Sequence, residues 1–286
     1  MSISYELRAR VALEKNGFRN THFLGQNFIL DESLMEHLLD LTGLGPADRV
    51  LEIGPGPGLL TALMARRCEK VTSIEIDEKL RPVLEEVLAD SGNAKIVFGD
   101  AMRLDIGRVV AENMGGGPFR VVANLPYYIT TDVLMRLVTS GLPVTDICVM
   151  VQQEAAERMM SRPGGKQWCA MAAAIGYFGS TEALCHVPRT AFDPPPHVDS
   201  AFIRIAMHAQ KPVQAKDDGM MLKVISCAFH MRRKKLTNNL QAVFSIDQEK
   251  AAAALAEAGI DANVRGEALE IAELARLSDV LTEVIG

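Results

Sequence analysis

The 286-residue chain lacks a long apolar run. Its longest weakly interrupted stretch, Cys169 to Gly179, is too short for a helix that crosses a bilayer, which needs about 20 residues. It also lacks positive charge. Lys and Arg number 30 against 36 Asp and Glu, for a net charge of −6. No bulk field attracts a polyanion, so any nucleic-acid contact must rest on a local basic patch. Cysteine is sparse. Cys68, Cys148, Cys169, Cys185 and Cys227 are odd in number, widely spaced and free of any CxxC pair. This argues against a disulfide framework or a structural zinc site and for reduced thiols. The first thirty residues hold no signal-peptide core, and no repeat or low-complexity tract stands out. What remains is globular in character, with 48% of residues hydrophobic and 23% charged. A cytoplasmic location is expected, with no membrane partner. The length suits one large domain, or one domain and a smaller one.

Two periodicities organise the chain. From Asp31 to Leu41 the apolar residues Leu34, Leu38 and Leu41 recur at helical spacing, with Asp31 placed as N-cap. After Gly43-Leu44-Gly45-Pro46, short apolar runs alternate with helical stretches. Strands are expected at Val50–Ile53, Val71–Ile76, Ile96–Phe98, Phe119–Ala123, Ile147–Val151 and Ala201–Ile205. Strands separated by helices predict parallel βαβ units and an open, doubly wound α/β sheet. A polar break falls at His208 to Gly219. Beyond it, Ala, Leu and Glu recur at helical spacing without a strand. The expected division is therefore a sheet domain over 1–208 and a small helical domain over 209–286. Charge in the second part is uneven. Residues 209–246 hold seven Lys/Arg against two Asp/Glu, and 247–286 hold three against nine. The acidic half reads as a solvated face.

Glu52-Ile53-Gly54-Pro55-Gly56-Pro57-Gly58 lies between a strand and a helix. Its glycines permit positive φ and close approach of a ligand to the backbone. The spacing is not that of the dinucleotide fingerprint, because Leu59 stands where its third glycine belongs. Glu75, Asp100 and Asn124 then end the next three strands. Polar groups at successive carboxyl ends line the crevice in which open α/β sheets bind ligands. A carboxylate at Glu75 can accept both ribose hydroxyls, and one at Asp100 can accept from an adenine amino group. The series fits a nucleoside-bearing cofactor, either NAD or S-adenosylmethionine.

Asn124-Leu125-Pro126-Tyr127 bears on the reaction. The lone pair of an adenine N6 amine is delocalised into the ring, so methylating it requires acceptors for both N6 hydrogens. The Asn124 side-chain oxygen and the Leu125 carbonyl can supply them. Pro126 stiffens the turn, and Tyr127 offers a face on which a base stacks, worth about 1–3 kcal/mol.

These blocks are similar to those of the KsgA family of small-subunit ribosomal RNA adenine dimethyltransferases, relatives of the Erm resistance methyltransferases. The resemblance runs in order along nearly the whole chain. It comprises Gly25-Gln26-Asn27-Phe28-Ile29, Leu51-Glu52-Ile53-Gly54-Pro55-Gly56, Ile74-Glu75-Ile76-Asp77, Gly99-Asp100-Ala101-Met102, Asn124-Leu125-Pro126-Tyr127-Tyr128 and Val151-Gln152-Gln153-Glu154. It continues through Phe192-Asp193-Pro194-Pro195-Pro196-His197-Val198-Asp199-Ser200-Ala201 and Arg232 to Leu240. The resemblance implies a class I S-adenosylmethionine-dependent methyltransferase with a Rossmann-like, mostly parallel sheet. It implies that Asn27 and Ile29 cover the cofactor, Gly54 approaches its amino-acid part, Glu75 its ribose and Asp100 its adenine, with Gly56, Ile76 and Ala101 also cofactor-binding. Asn124 would stand where cofactor and target amine meet, and Phe192 would cover the target base opposite Tyr127. The implied product is N6,N6-dimethyladenosine at two adjacent adenosines of the 3′-terminal hairpin loop of 16S rRNA, formed during small-subunit assembly. A monomer is expected.

The densest basic cluster is His230, Arg232, Arg233, Lys234 and Lys235, expected on a helix and expected to meet RNA phosphates. Asn238 and Asn239 read either as further RNA contacts or as turn caps. Two segments depart from the family. Thr21, His22 and Phe23 replace a Lys/Arg-rich stretch. Gly164 to Ala172 lacks the usual glycine and serine, with Trp168 standing at the aromatic position and Lys166 supplying the charge. Three other readings stand beside the main one: Erm-like methylation of large-subunit rRNA, an assembly factor that binds RNA without methylating it, and a nicotinamide-dependent oxidoreductase.

Overall fold

The computed structural model describes residues 4–20 and 24–285. The departure at Thr21, His22 and Phe23 lies outside the described residues. Two helices, α1 (Tyr5–Lys15) and α2 (Glu32–Thr42), precede the sheet. Asp31 caps α2 as expected, accepting from the Leu34 N–H at 2.9 Å. The strands are β1 (Arg49–Ile53), β2 (Lys70–Glu75), β3 (Ala94–Phe98), β4 (Phe119–Asn124), β5 (Val144–Gln152), β6 (Gly179–Val187) and β7 (Ser200–Met207), in the order β3-β2-β1-β4-β5-β7-β6. Neighbouring strands from β3 to β5 pair in parallel, and β7 pairs antiparallel with β5. The connections carry α3 (Leu59–Ala65), α4 (Arg81–Val87), α5 (Ile106–Met114), α6 (Thr130–Val138), α7 (Gln153–Met159) and α8 (Ala170–Phe178). Central strands such as β1 and β4 are apolar toward both faces, because helices cover both sides of a parallel sheet. Val50, Leu51, Val121 and Val122 are accordingly buried.

All six expected strands are present. The seventh, β6, was not expected. Its sequence, GSTEALCHV, has no run of β-branched residues, and most of its residues are partly or fully exposed.

Two compact units emerge. The first holds the described residues through Ala156 together with Glu182–Met207, and the second holds Glu157–Thr181 and the described residues from His208 onward. The expected cut near 208 is thus only one of the crossings. The physical reason is α8. Ala172, Ala173, Ala174, Ile175 and Tyr177 are buried, and the Tyr177 hydroxyl donates to Asp218 Oδ1 at 2.7 Å. The rest of the second unit is α9 (Asp218–Ala228), α10 (Leu236–Phe244), α11 (Gln248–Glu257) and α12 (Ile271–Ile285). Among the described residues no helix is long and apolar enough to cross a membrane.

Arginines close the end of the first unit where β4 begins. Arg120 binds Asp146 at 2.9 Å and Asp48 at 3.0 Å, and its guanidinium donates to the Thr42 carbonyl at 2.6 Å. Arg204 donates to the carbonyls of Leu41 and Thr42 at 2.8 and 2.9 Å. Both satisfy acceptors that the C-terminus of α2 leaves open. Arg120→Met is expected to cost about 3 kcal/mol, because it strands two carboxylates and a helix end. Urea unfolding checks this, and a change below about 1 kcal/mol would show the cluster to be a solvated surface network.

Candidate active site

The carboxyl ends of β1 to β4 open into one cavity of about 380 Å³. Segment 24–29, the glycine loop after β1, the end of β2, the loop after β3 and the turn after β4 line it. Of the expected site residues, Asn27, Ile29, Gly54, Gly56, Glu75, Ile76, Asp100, Ala101, Asn124, Leu125, Pro126 and Tyr127 all lie on its wall.

The glycine loop is set by backbone geometry. Gly54, Gly56 and Gly58 have φ of 74°, 55° and 86°, a region costly for residues with a Cβ. At Gly56 space forbids a side chain as well, since a Cβ there would stand 2.8 Å from the Phe28 ring. The Gly56 N–H donates to Glu75 Oε2 at 3.2 Å, and the Asp77 N–H donates to Glu75 Oε1 at 2.8 Å. The Glu75 carboxylate thus ties the loop to the end of β2. Burial dominates its titration and raises its pKa to about 7, against the lowering effect of these backbone donors. Glu52 is buried beside the loop. It accepts from the hydroxyls of Thr61 at 2.5 Å and Ser73 at 2.6 Å, and burial raises its pKa to about 7 as well.

Segment 24–29 is held from two sides. Phe28 pairs with Asp193 through both backbone bonds, at 3.0 and 2.8 Å. Gln26 donates to Asp77 Oδ2 at 2.8 Å. Across the cavity, Asn124 Nδ2 donates to the Asn27 carbonyl at 3.2 Å. That bond fixes the side-chain amide by its nitrogen and leaves Oδ1 as an acceptor without a partner among the described residues. The turn itself is pinned where α6 starts. The Ile129 N–H and the Thr130 hydroxyl both donate to the Pro126 carbonyl, at 3.2 and 3.0 Å. The Tyr127 hydroxyl shares a 2.6 Å bond with Ser200. Arg136, on α6, donates to the carbonyls of Ala101 and Leu104 at 2.5 and 2.6 Å, so the helix that follows the Asn124 turn also holds the Asp100 loop.

Two features of this wall carry no signal in the sequence. Arg136 is a helical arginine like any other until the fold sets it behind the Asp100 loop. Ser200 is a small residue until β7 brings it to Tyr127. Phe192 is buried in the apolar cluster with Ile29, Met150 and Phe202 and is not on the cavity wall. The turn Arg189–Ala191 and the pairing of Asp193 with Phe28 fix the backbone on either side of it.

The wall's charge identifies what it suits. Among the described residues, the cavity is lined by Glu52, Glu75 and Asp100 against one cation, Arg103, with no Lys or His. A pyrophosphate would meet carboxylates here, whereas a nucleoside that carries positive charge would be attracted. Among the described residues no group of three or more metal-ligating side chains is close enough to hold a metal ion.

In the second unit the expected RNA-binding segment is a turn between α9 and α10, not a helix. The His230 N–H donates to the Cys227 carbonyl and the Lys234 N–H to the Met231 carbonyl, and α10 begins only at Leu236. Side chains of Arg232 to Lys235 are exposed. Asn239 is buried, and its amide donates to the Ala228 carbonyl at 3.4 Å, which makes it part of the helix packing. Trp168 is buried and meets the Phe229 ring edge-on, with centroids 6.0 Å apart.

A sheet ordered 3-2-1-4-5-7-6 with its seventh strand antiparallel, bearing an acidic cavity at its carboxyl ends, defines a class I methyltransferase. The ribosomal RNA adenine dimethylase family matches residues 17–283, and the chain belongs to that family. Curated relatives named ribosomal RNA small subunit methyltransferase A include one from Geobacillus sp. (strain WCH70), 41% identical over 284 residues with 97% of each chain covered. Another, from Streptococcus gordonii, is 40% identical over 276 residues with 95% of each covered. Among solved structures, a dimethyladenosine transferase from Plasmodium falciparum shares the fold with a TM-score of 0.74 at 20% identity, covering 88% of this chain and 96% of that one. The 23S rRNA methyltransferase ErmE gives 0.65 at 25% identity, covering 90% of this chain and 100% of that one.

Proposed function

We propose that this enzyme dimethylates N6 of two adjacent adenosines in the 3′-terminal hairpin loop of small-subunit rRNA, with S-adenosylmethionine as methyl donor. The observation that carries the reading is Asn124, whose Nδ2 is tied to the Asn27 carbonyl while Oδ1 is left to accept. The names and high coverage of the curated relatives support small-subunit rRNA over large-subunit rRNA as the substrate.

S-adenosylmethionine, when bound, supplies an electrophilic methyl group. Glu75 and Ile76 would hold its ribose, Asp100 and Ala101 its adenine, and Gly54, Gly56, Asn27 and Ile29 the remainder. The fit rests on the carboxylate-rich wall of the cavity, which favours a cation. In the first transfer Asn124 Oδ1 and the Leu125 carbonyl accept the two N6 hydrogens and so localise the amine's lone pair; in the second, one N6 hydrogen remains to be accepted. Tyr127, anchored by Ser200, stacks the base. The methylated amine sheds its proton after transfer, so the chain needs no strong base at this point. Each adenosine must leave its stack, which costs a few kcal/mol and less in a loop than in a duplex. Exposed cations of the basic segment, Arg233 and Lys234 among them, provide phosphate contact.

The test is transfer from labelled S-adenosylmethionine to small subunits lacking this modification and, in parallel, to large subunits, with nucleoside mass spectrometry of the rRNA. Dimethyladenosine in the 3′-terminal hairpin is expected. Product only on large subunits would establish Erm-like action. Cofactor binding with no product on either subunit would leave an assembly role.

A further inference from the structure

The second unit carries exposed cations from two segments far apart in sequence. In the first, the Gly165 N–H donates to the Arg162 carbonyl at 3.0 Å and the Trp168 N–H donates to the Gly165 carbonyl at 3.1 Å. These consecutive turns leave Arg162 and Lys166 exposed. The second is the turn between α9 and α10, with Arg233 and Lys234 exposed. The segments are fastened together. Trp168 packs on Phe229, and Arg232 Nη2 donates to the Lys166 carbonyl at 3.5 Å.

Their cations differ in availability. Arg232 is ion-paired with Glu267 at 2.8 Å. Lys235 donates to Asn263 Oδ1 at 2.6 Å. Among the described residues, the side chains of Arg162, Lys166, Arg233 and Lys234 have no ion-pair or hydrogen-bond partner. A partnered guanidinium must first break its ion pair to reach a phosphate. An unpartnered cation gives up only water. Charge that is concentrated and unneutralised in a chain of net charge −6 is the local patch that a polyanion requires.

We infer that Arg162, Lys166, Arg233 and Lys234 form one discontinuous surface for the phosphate backbone of rRNA, and that Arg232 braces the two segments without touching phosphate. The inference rests on the reading of the second unit as rRNA-binding and divides that role among residues. Arg162 and Lys166 thereby gain a function, and the basic turn loses part of its presumed one.

The test measures binding of the full-length protein to small subunits lacking the modification, across a series of salt concentrations. Each phosphate contact contributes about 0.7–0.9 to the slope of log K against log salt. Arg162→Ala with Lys166→Ala is expected to flatten the slope by about 1.4–1.8, and Arg233→Ala with Lys234→Ala by the same amount. Arg232→Gln is expected to leave the slope unchanged while lowering Tm. If the Arg233/Lys234 pair flattens the slope and the Arg162/Lys166 pair does not, the surface is confined to the turn and the inference fails. If neither pair changes it, the reading of this unit as rRNA-binding falls as well. If Arg232→Gln flattens the slope as one phosphate contact would, the brace assignment is overturned. The substituted side chains are exposed, and circular dichroism verifies that each variant is folded.

Discussion

Asn124→Ala is expected to lower methyl transfer by about 10²–10³-fold, the loss typical when one preorganised hydrogen-bonding group is removed from a reacting centre. In free energy this is about 3–4 kcal/mol of transition-state stabilisation. Affinity for the small subunit is expected to stay within about twofold, because the proposed phosphate contacts lie on other residues. Asn124 Nδ2 is bonded to the Asn27 carbonyl, so the alanine variant also frees segment 24–29 on one side. Cofactor affinity therefore has to be measured beside turnover. Asn124→Asp separates the two effects. It retains an acceptor, but it cannot donate to Asn27, and it sets a carboxylate against a carbonyl. Near-normal turnover in the alanine variant would exclude Asn124 as the amine acceptor.

Cofactor affinity is expected to depend steeply on pH, through Glu75. Its pKa in the folded protein is raised to about 7 by burial, and the ribose hydroxyls need the ionised form as acceptor. Above about pH 8 the affinity is flat. Below about pH 7 it falls by about tenfold per unit, since one proton must be released for each ligand bound. Calorimetry with S-adenosylhomocysteine as the probe reads this directly, and Glu75→Gln is expected to bind weakly with a flat profile. A wild-type profile flat between pH 5.5 and 8 would mean that Glu75 does not act as the ribose acceptor. The sign for folding is the reverse. Glu52 and Glu75 both hold protons in the folded state that the unfolded chain has released above pH about 4.5. Their contribution to stability is present at low pH and is lost as pH rises through about 7. The apo-protein thus loses stability over the same range in which it becomes competent to bind its cofactor.

Much of the sheet and the cavity was legible in sequence, for identifiable reasons. Strands β1 to β5 and β7 are apolar runs buried between helices, so composition alone marks them. Glu75, Asp100 and Asn124 end such runs, and the chain order of a doubly wound sheet brings strand ends together. Strand β6 escaped because exposed residues carry no burial pattern. The basic turn reads as helix in sequence because Arg and Lys are good helix formers, and nothing local shows that α9 stops at Ala228. Phe192 packs in the core cluster with Ile29, and its expected place over the target base is carried by the resemblance, since a phenylalanine gives no pattern that separates a core from a pocket. Arg120 and Arg136 are tertiary in their whole meaning. Each binds carbonyls or carboxylates remote in sequence, and no local pattern announces such partners.

The chain enters the second unit after Ala156, leaves it at Glu182 and re-enters it at His208. That threading constrains how such proteins diversify. A stop codon near 208 would not discard a terminal appendage. It would strand α8, whose buried face is packed by helices encoded downstream. Nor would grafting the segment from 208 onward transfer a working module, since Trp168 and Lys166 would stay behind with the old chain. A recombination meant to move the second unit whole has to carry both stretches together.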